Sequence, residues 1–357
     1  MVLVVLGSLV VAGVATLVIN EIKSSADTTS TDVADFVIDP GDTAGQIATK
    51  LKDQGLIKQT LLFNLMVRER KVAGKLQAGQ YQLEKSWTTG QIITALQKSR
   101  VEEKKLTVIP GSRIEEIAKV LVDAKLAPST DAALATMKNA DYFKKAHPLL
   151  KDIPAGQSLE GYLFPDTYQV VATAKITDVV DTMLKGFEDQ YKTFDGQILV
   201  KGRSTHDIVT MASIIQREAA SDAEMPHVAY ILWNRLDPRY AAEVAGRLQA
   251  DPTVQYAAGY DTATQTWWRK NIDQFIDINS PYNTRKNQGL PPGPIDSPAL
   301  TALKAAARPG ADRPDASPGD KDLYFVAKCG TNGTNYAATL QEFNKLQAEY
   351  LSCPNPR

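Results

Sequence analysis

The sequence predicts an α+β protein with an N-terminal transmembrane helix, a small βααβ subdomain and a larger helix-rich domain. Three observations predict it: an uninterrupted apolar run opens the chain, strand and helix patterns alternate between residues 36 and 100, and helical periods joined by short strands dominate from residue 104 to 357. The 40 Lys and Arg residues balance 41 Asp and Glu residues. This balance argues against a nucleic-acid partner, because binding to phosphates requires a positive face.

The apolar run predicts a membrane anchor over residues 1–20. From Val2 to Ile19, 14 of 18 residues are Ala, Val, Ile or Leu, and no charge interrupts them. At a rise of about 1.5 Å per residue, such a helix just spans the hydrocarbon core. A cleaved signal peptide is the alternative, but its small-residue triplet at 13–15 would lie inside the apolar run. Residues 21–35, rich in Ser, Thr and Asp, are predicted to form a linker.

Residues 36–100 are predicted to form a unit of two strands and two helices, closed by a further helix. Phe36–Ile38 is a short strand, Thr43 caps the first helix, the second helix starts at Thr60, and Gly79–Leu83 alternates like a returning strand. This order resembles LysM-type carbohydrate-binding modules. The alternative is a small scaffold without a ligand, since the order of elements alone does not fix a function.

The segment from residue 104 to the end carries the candidate chemistry. Its loops are rich in Pro, Asn and Tyr, which is typical of a cleft that binds a substrate. Apolar periodicity predicts helices and strands at Leu106–Ile109 (strand), Ile176–Tyr191, Thr205–Ala219, Pro226–Leu236, Ala299–Ala307, Leu323–Ala327 (strand) and Leu340–Tyr350.

Glu218 is the candidate acid, because it extends the apolar face of its helix. It follows Ile215 by three residues and Met211 by seven, so the carboxyl lies on the side that is buried. Partial burial raises the pKa of a carboxyl and suits it to donate a proton near neutral pH. The alternative is a glutamate that turns to solvent or pairs with a buried arginine such as Arg235.

Several motifs follow one another along almost the whole chain. They are Leu159–Tyr168, Ala212–Glu218, Asn234–Leu236, Leu248–Tyr256, Ser280–Asn283 and Gly289–Pro294. In this order the sequence resembles the endolytic murein transglycosylase family, also called MltG or YceG-like.

The resemblance implies a single-pass enzyme of the inner (plasma) membrane that faces the cell wall. Such enzymes cut peptidoglycan glycan strands internally, between N-acetylmuramic acid and N-acetylglucosamine. The family's catalytic glutamate falls on Glu218, which would act first as acid and then as base while the muramoyl C6 hydroxyl closes a 1,6-anhydro ring. The resemblance also implies cell-wall synthases as partners. The reaction requires no cofactor and no metal.

Substrate-binding roles follow from side-chain chemistry. Gln255, Tyr282 and Asn283 offer neutral donors for sugar hydroxyls and N-acetyl groups, and Glu160 and Asp251 offer acceptors. The alternatives are structural, since Asp251 precedes Pro252 as in a turn or helix cap, and Glu160 would brace a loop.

The sequence departs from the family pattern at three places. Pro110–Ser112 replaces the usual Pro-Glu-Gly, Gln216 stands where many members carry a second Glu, and Gly333–Tyr336 lacks the usual histidine. Two other functions therefore stay open: a wall hydrolase that uses Glu160 or Asp251 as the base, and a non-catalytic glycan-binding scaffold. The spacing of Cys329 and Cys353 does not decide whether they form a disulfide.

Overall fold

A computed structural model describes residues 32–98, 103–310, 321–331 and 333–354. The predicted anchor and most of the predicted linker lie outside these residues. Within the described ranges, no helix is both long and apolar enough to cross a bilayer. The chain divides between Lys104 and Lys105 into two units, each with its own apolar core.

The first unit contains an antiparallel strand pair and three helices. Its elements are β1 (Val33–Ile38), α1 (Ala44–Asp53), α2 (Thr60–Glu69), β2 (Gly79–Glu84) and α3 (Thr89–Ala95). The strands align Phe36 with Tyr81, and alternate side chains from both strands enter the core. As predicted, Thr43 caps α1, with its hydroxyl accepting the N–H of Gln46. The βααβ order is therefore confirmed in this unit.

The second unit is mostly helical, with two short strand pairs, β3 with β4 and β5 with β6. Its elements are β3 (Glu103–Thr107), α4 (Ile114–Asp123), α5 (Thr130–Met137), α6 (Ala140–Phe143), β4 (Thr167–Val171), α7 (Ile176–Lys192), α8 (Thr205–Glu218), α9 (Met225–Arg235), α10 (Ala241–Val244), α11 (Asp251–Ala258), α12 (Leu300–Ala307), β5 (Tyr324–Ala327), β6 (Thr334–Ala337) and α13 (Leu340–Leu351). The predicted α+β class holds for both units.

Helix α8 is the centre of the second unit. Helices α9, α11 and α12 all pack against it. Every residue from Ile208 to Ile215 is buried, so this helix is enclosed on all sides along its middle turns. Most of these residues are apolar, and the two polar ones, Thr210 and Ser213, are buried with them.

Several elements differ from the sequence-based expectation: helix α10 and strands β4 and β6 were not predicted. Residues 251–258 form helix α11 with Asp251 as its first residue, which agrees with a helix start at this position and not with an isolated turn. Pro252 occupies the first turn of α11, where a backbone N–H would have no hydrogen-bond partner within the helix, so proline breaks no helical hydrogen bond there. Cys329 and Cys353 form a disulfide with a Cα–Cα distance of 5.7 Å, which joins the segment after β5 to the C-terminal segment.

Candidate active site

The C-terminal end of α8 carries Glu218, the last residue of the helix. The start of the helix is fixed by reciprocal hydrogen bonds: Ser204 Oγ accepts the Asp207 N–H at 3.1 Å, and the Asp207 carboxylate accepts the Ser204 N–H at 3.0 Å. Because the middle of α8 is enclosed by neighbouring helices, its last turn is held rigidly among them. Glu218 is therefore partly covered by protein at a fixed position.

The carboxyl group of Glu218 has a strongly perturbed acidity. Its pKa is raised to about 7, chiefly by burial and next by the negative charge of Asp251. The positive charges of Arg235 and Arg285, and a hydrogen bond from the backbone N–H of Asp251, act in the opposite direction. The predicted rise in pKa is confirmed. Such a group is part protonated and part ionised near neutral pH, as a group that both donates and accepts a proton must be.

Arg235 lies in the protein interior near Glu218, with 7% of its surface exposed. Its Nε donates to the carbonyl of Leu323 at 2.7 Å, and its Nη1 donates to the carbonyl of Leu248. These bonds fix the guanidinium to two separate segments. Its charge acts on Glu218, yet the pKa of Glu218 stays high, so Arg235 does not hold the carboxyl in the ionised form.

Asp251 lies beside Glu218 and is itself paired with a cation. Arg285 Nε donates to Asp251 Oδ1 at 2.8 Å, and Arg285 Nη2 donates to the same oxygen. Both side chains are partly exposed, 51% for Asp251 and 36% for Arg285. The structure thus brings Asp251 together with Glu218, and it adds Arg285 to the site.

Glu160 belongs to a second group at the start of α4. It is 2% exposed, and its carboxylate accepts the N–H of Ile114, the first residue of α4, at 3.2 Å and the hydroxyl of Tyr256 at 3.4 Å. Burial raises the pKa of Glu160 well above its usual range, and the charge of Glu115 adds to the rise. The Tyr256 ring lies 4.7 Å from the ring of Tyr282, so Tyr282 joins this group.

Gly161 allows the chain beside Glu160 to contact the loop 289–294. Its φ is +83°, a left-handed conformation that favours glycine. An added Cβ would lie 2.4 Å from Cβ of Pro294. The glycine is therefore required by both its backbone angle and the available space.

Gln255 and Asn283 are engaged with backbone carbonyls. Gln255 Nε2 donates to the carbonyl of Arg269 at 2.8 Å. Asn283 is fully buried, and its Nδ2 donates to Ile276 and Ile278 at 2.8 and 3.0 Å. A sugar contact by Asn283 would require this loop to open. In this structure both amides stabilise the loops around the site.

The loop that contains residues 289–299 is anchored on α8 by three polar side chains. His206 Nε2 hydrogen-bonds the carbonyl of Pro292 at 3.0 Å, and Ser213 Oγ accepts the N–H of Ile295 at 3.0 Å. Gln216 Oε1 accepts the N–H of Ala299 at 2.8 Å. Gln216 stands where many family members carry a second Glu, and here it binds a backbone N–H.

Two groups at the site were missed by the sequence analysis. Arg285 follows Asn283 by two residues. Its closeness to the Ser280–Asn283 motif is the sequence feature that could have identified it as a site residue. Asp296 is fully buried, and neither of its carboxylate oxygens has a hydrogen-bond partner among the described residues. Burial raises the pKa of Asp296 well above its usual range, against the attraction of Arg217. Nothing in the local sequence pattern indicated this burial.

The part of the chain that the structure describes contains no cluster of three or more His, Cys, Asp or Glu side chains arranged to hold a metal ion.

The sequence profile of the YceG-like family matches residues 36–349 of this chain. The chain belongs to the YceG-like family. The structure of this YceG-like chain also resembles the crystal structure of a putative YceG-like protein from Listeria monocytogenes, with a TM-score of 0.56 and 30% identity. The likeness covers 89% of this chain and all of that one.

Curated relatives of this YceG-like chain carry a more specific name. The endolytic murein transglycosylase of Bacillus subtilis is 30% identical, over 90% of this chain and 85% of its own length. The endolytic murein transglycosylase of Streptococcus pneumoniae is 28% identical, over 88% of this chain and 58% of its own length. The chain thus spans somewhat more than half the length of the pneumococcal relatives.

Proposed function

We propose that this chain is an endolytic lytic transglycosylase that cleaves the bond between N-acetylmuramic acid and N-acetylglucosamine in peptidoglycan glycan strands. Two relatives that align over most of this chain are named endolytic murein transglycosylases. The observation that carries the proposal is Glu218, whose pKa is raised to about 7 at the end of a buried helix. This acidity suits the single carboxyl that the reaction needs.

The reaction uses Glu218 twice. The protonated carboxyl donates its proton to the glycosidic oxygen, and the N-acetylglucosamine side leaves as an alcohol. The resulting carboxylate accepts the proton of the muramoyl C6 hydroxyl, whose oxygen forms a bond to C1. The product carries a 1,6-anhydro ring, no water is consumed, and Glu218 is protonated again. Because the internal hydroxyl replaces water, a second carboxyl is not required.

The surroundings of Glu218 stabilise both forms of the carboxyl. Burial favours the acid before the bond breaks, while Arg235, Arg285 and the N–H of Asp251 stabilise the carboxylate formed afterwards. Because both arginines are themselves fixed by hydrogen bonds, this electrostatic field requires little rearrangement during the reaction.

A hydrolase is the second candidate, because Asp251 places another carboxylate beside Glu218. In a hydrolase Asp251 would activate water. Two donors of Arg285 instead bind Oδ1 of this carboxylate, so a water molecule would have to compete with them for that oxygen. Glu160, the other candidate base, is bound to a helix N-terminus and to Tyr256. These contacts favour the lyase.

Product analysis tests the choice between the two reactions. Purified sacculi are digested with the wild-type chain in water enriched in ¹⁸O, and the released fragments are measured by mass spectrometry. The lyase gives 1,6-anhydromuramic ends without ¹⁸O. Reducing ends that contain ¹⁸O would establish the hydrolase. Binding without cleavage would leave the glycan-binding scaffold.

We also propose that residues 1–20 anchor the chain in the inner (plasma) membrane as a single-pass protein. In this proposal the second unit faces the wall, and cell-wall synthases are its partners. The first unit is proposed to bind glycan as a LysM-like module. Trp87 supports this role, since it borders two cavities of about 560 and 630 Å³ beside α3 and β2. Membrane fractionation of the chain with and without residues 1–20 tests the anchor. Pull-down of sacculi by Trp87→Ala tests the module.

A further inference from the structure

A short turn after α11 projects aromatic side chains at a distance from Glu218. Helix α11 ends at Ala258 and is followed by Gly259, and Asp261 then pairs with Thr266 in an isolated antiparallel bridge, with N···O distances of 2.8 and 3.2 Å. Tyr260 precedes the bridge, and Trp267 and Trp268 follow it. The bridge thus brings the rings of Tyr260 and Trp267 within 5.0 Å of each other.

Cation–π contacts of Arg113 and a contact between two aromatic rings hold this turn in place. The guanidinium of Arg113, 4% exposed, lies 4.1 Å from the ring of Tyr256 and 4.4 Å from that of Trp267. The ring of Tyr260 lies 5.0 Å from that of Trp267 at an interplanar angle of 59°, with 44% of the Tyr260 surface exposed. A ring that is fixed and yet exposed binds a ligand at little cost in conformational entropy.

A cavity of about 750 Å³ opens beside the same turn. Trp268 lines it, and the guanidinium of Arg217 fixes this ring at 3.8 Å. The other lining side chains are polar: hydroxyls, amides and carboxylates, such as those of Thr264 and Gln274, together with the cations Arg269 and Lys270. An aromatic wall with many small polar groups matches a sugar, because sugar rings offer an apolar C–H face and a rim of hydroxyls.

Helix α11 relates this cavity to the reacting bond. The N–H of Asp251, at the start of α11, donates to Glu218, and Tyr260 follows the other end of the helix. Eight helical residues at about 1.5 Å each separate the two ends by about 12 Å. Tyr260 therefore lies about one length of α11 from the N–H that binds Glu218, so a ligand that reaches both must be longer than a single sugar residue.

We propose that Tyr260 and this cavity form a distal subsite for N-acetylated hexosamine residues of the glycan strand that Glu218 cleaves. The inference rests on the proposed function. It adds a second site that binds the strand at a distance from the scissile bond. An enzyme that cuts inside a strand needs contacts of this kind, because the sugars next to the scissile bond are alike along the strand. The subsite gives long strands an advantage over short fragments.

Steady-state kinetics with peptide-free glycan strands and with short glycan fragments test the subsite. The variants are Tyr260→Ala and Gln274→Ala, both at exposed positions, and the matched control is Tyr142→Ala, a tyrosine 65% exposed elsewhere in the second unit. We expect either variant to raise KM for long strands about 3–10-fold, with kcat and the kinetics on short fragments unchanged. Tyr142→Ala should behave as wild type.

Calorimetric binding of the same peptide-free strands to full-length Glu218→Gln protein, with and without Tyr260→Ala, separates this inference from the proposed reaction. A wild-type chain that never cuts would overturn the reaction, while a loss of binding with Tyr260→Ala would still support the subsite. Equal KM for wild type, Tyr260→Ala and Gln274→Ala, together with equal binding by Glu218→Gln with and without Tyr260→Ala, would overturn the subsite. An effect seen only on peptide-bearing sacculi would also overturn it, because the contact would then be to peptide.

Discussion

The acidity of Glu218 results from opposing contributions of a few residues. Burial and Asp251 favour the protonated form, while Arg235 and Arg285 favour the ionised form. Their balance places the pKa at about 7. A carboxyl with its usual pKa would be almost fully ionised at neutral pH and would lack the proton that the first step requires.

Arg285→Ala should shift the pH dependence of the reaction. The substitution removes a positive charge that lowers the pKa of Glu218 and releases the Asp251 carboxylate, whose charge raises it. We expect the alkaline limb of the kcat profile to move to higher pH by about half a unit. The control is Arg239→Ala, which breaks a comparable exposed pair with Asp237, with Nε at 2.9 Å. An unchanged limb in Arg285→Ala would show that its charge does not act on the acid.

Asp296→Asn should increase stability at alkaline pH. The folded chain keeps the Asp296 proton well above the usual pKa, whereas the unfolded chain releases it, so the free energy of unfolding falls as pH rises above about 4. The asparagine cannot ionise and avoids this loss, so the stability advantage of the variant over the wild type should be larger at pH 8 than at pH 5. Thermal unfolding at pH 5 and pH 8 measures it.

The control for Asp296→Asn is Asp237→Asn, because a hydrogen bond from Arg239 lowers the pKa of Asp237. That substitution should not stabilise the chain at pH 8. A stability difference between Asp296→Asn and wild type that is the same at both pH values would contradict the assignment of a buried, protonated Asp296.

Single residues differ in how far the sequence predicts their environment. The buried side of Glu218 followed from the period of its own helix, because the neighbouring apolar residues show which side faces the core. The hydrogen bonds of Gln255 and Asn283 did not follow, since their partners are backbone carbonyls whose positions depend on loop conformation. The burial of Asp296 likewise depends on segments distant in sequence, such as those of Arg113 and Arg217.

At the scale of elements, the site depends on the contact between α8 and the loop 289–299. Side chains of α8 bind the backbone of this loop at Pro292, Ile295 and Ala299. Gly161 lets the turn that carries Glu160 contact the same loop. The loop 289–299 therefore contacts both α8 and the turn that carries Glu160, and it fixes the position of one relative to the other.

Gly161→Ala should destabilise the second unit strongly. The added Cβ would lie 2.4 Å from Pro294, and the residue would keep an unfavourable φ of +83°. We expect a loss of about 2–4 kcal/mol in the free energy of unfolding, measured by urea titration. Gly156→Ala is the matched control, since its φ is +77° and nothing lies within 4 Å of the added Cβ. Equal losses would show that the backbone angle alone matters and that the contact with Pro294 does not.

Long helices were predictable from their apolar period, whereas several short elements were not. Thr205–Ala219 was predicted from its apolar period, and α8 spans Thr205–Glu218. Helix α11 has eight residues, and strands β4 and β6 have five and four. Such short segments contain too few periods to show a pattern, and they form because partners elsewhere in the chain bind them.

At the scale of the whole molecule, the described residues form two units with separate apolar cores. Phe63 lies in the core of the first unit and Ile214 in that of the second, and both are fully buried. The strand and helix order of residues 36–100 and the helical character of the rest were visible in the sequence. The disulfide between Cys329 and Cys353 was not, because its formation depends on the distance between two segments in the fold.

Scanning calorimetry should resolve two unfolding transitions. Phe63→Ala should lower the free energy of unfolding of the first unit only, and Ile214→Ala that of the second unit only. We expect each loss to be about 3–5 kcal/mol, because each substitution leaves a cavity in one core. The two variants serve as controls for each other. A single transition that both variants lower equally would contradict separate cores.

The most direct test of the central claim compares the wild-type chain with Glu218→Gln in the digestion of purified sacculi, with thermal unfolding measured in parallel. The glutamine keeps the size of the side chain and removes the proton that is transferred. We predict that cleavage falls by about 10²–10⁴-fold, while the unfolding temperature at pH 8 is maintained or raised, because a carboxyl with a raised pKa destabilises the fold when it ionises. Cleavage by Glu218→Gln at the wild-type rate would contradict the assignment of Glu218 as the catalytic acid.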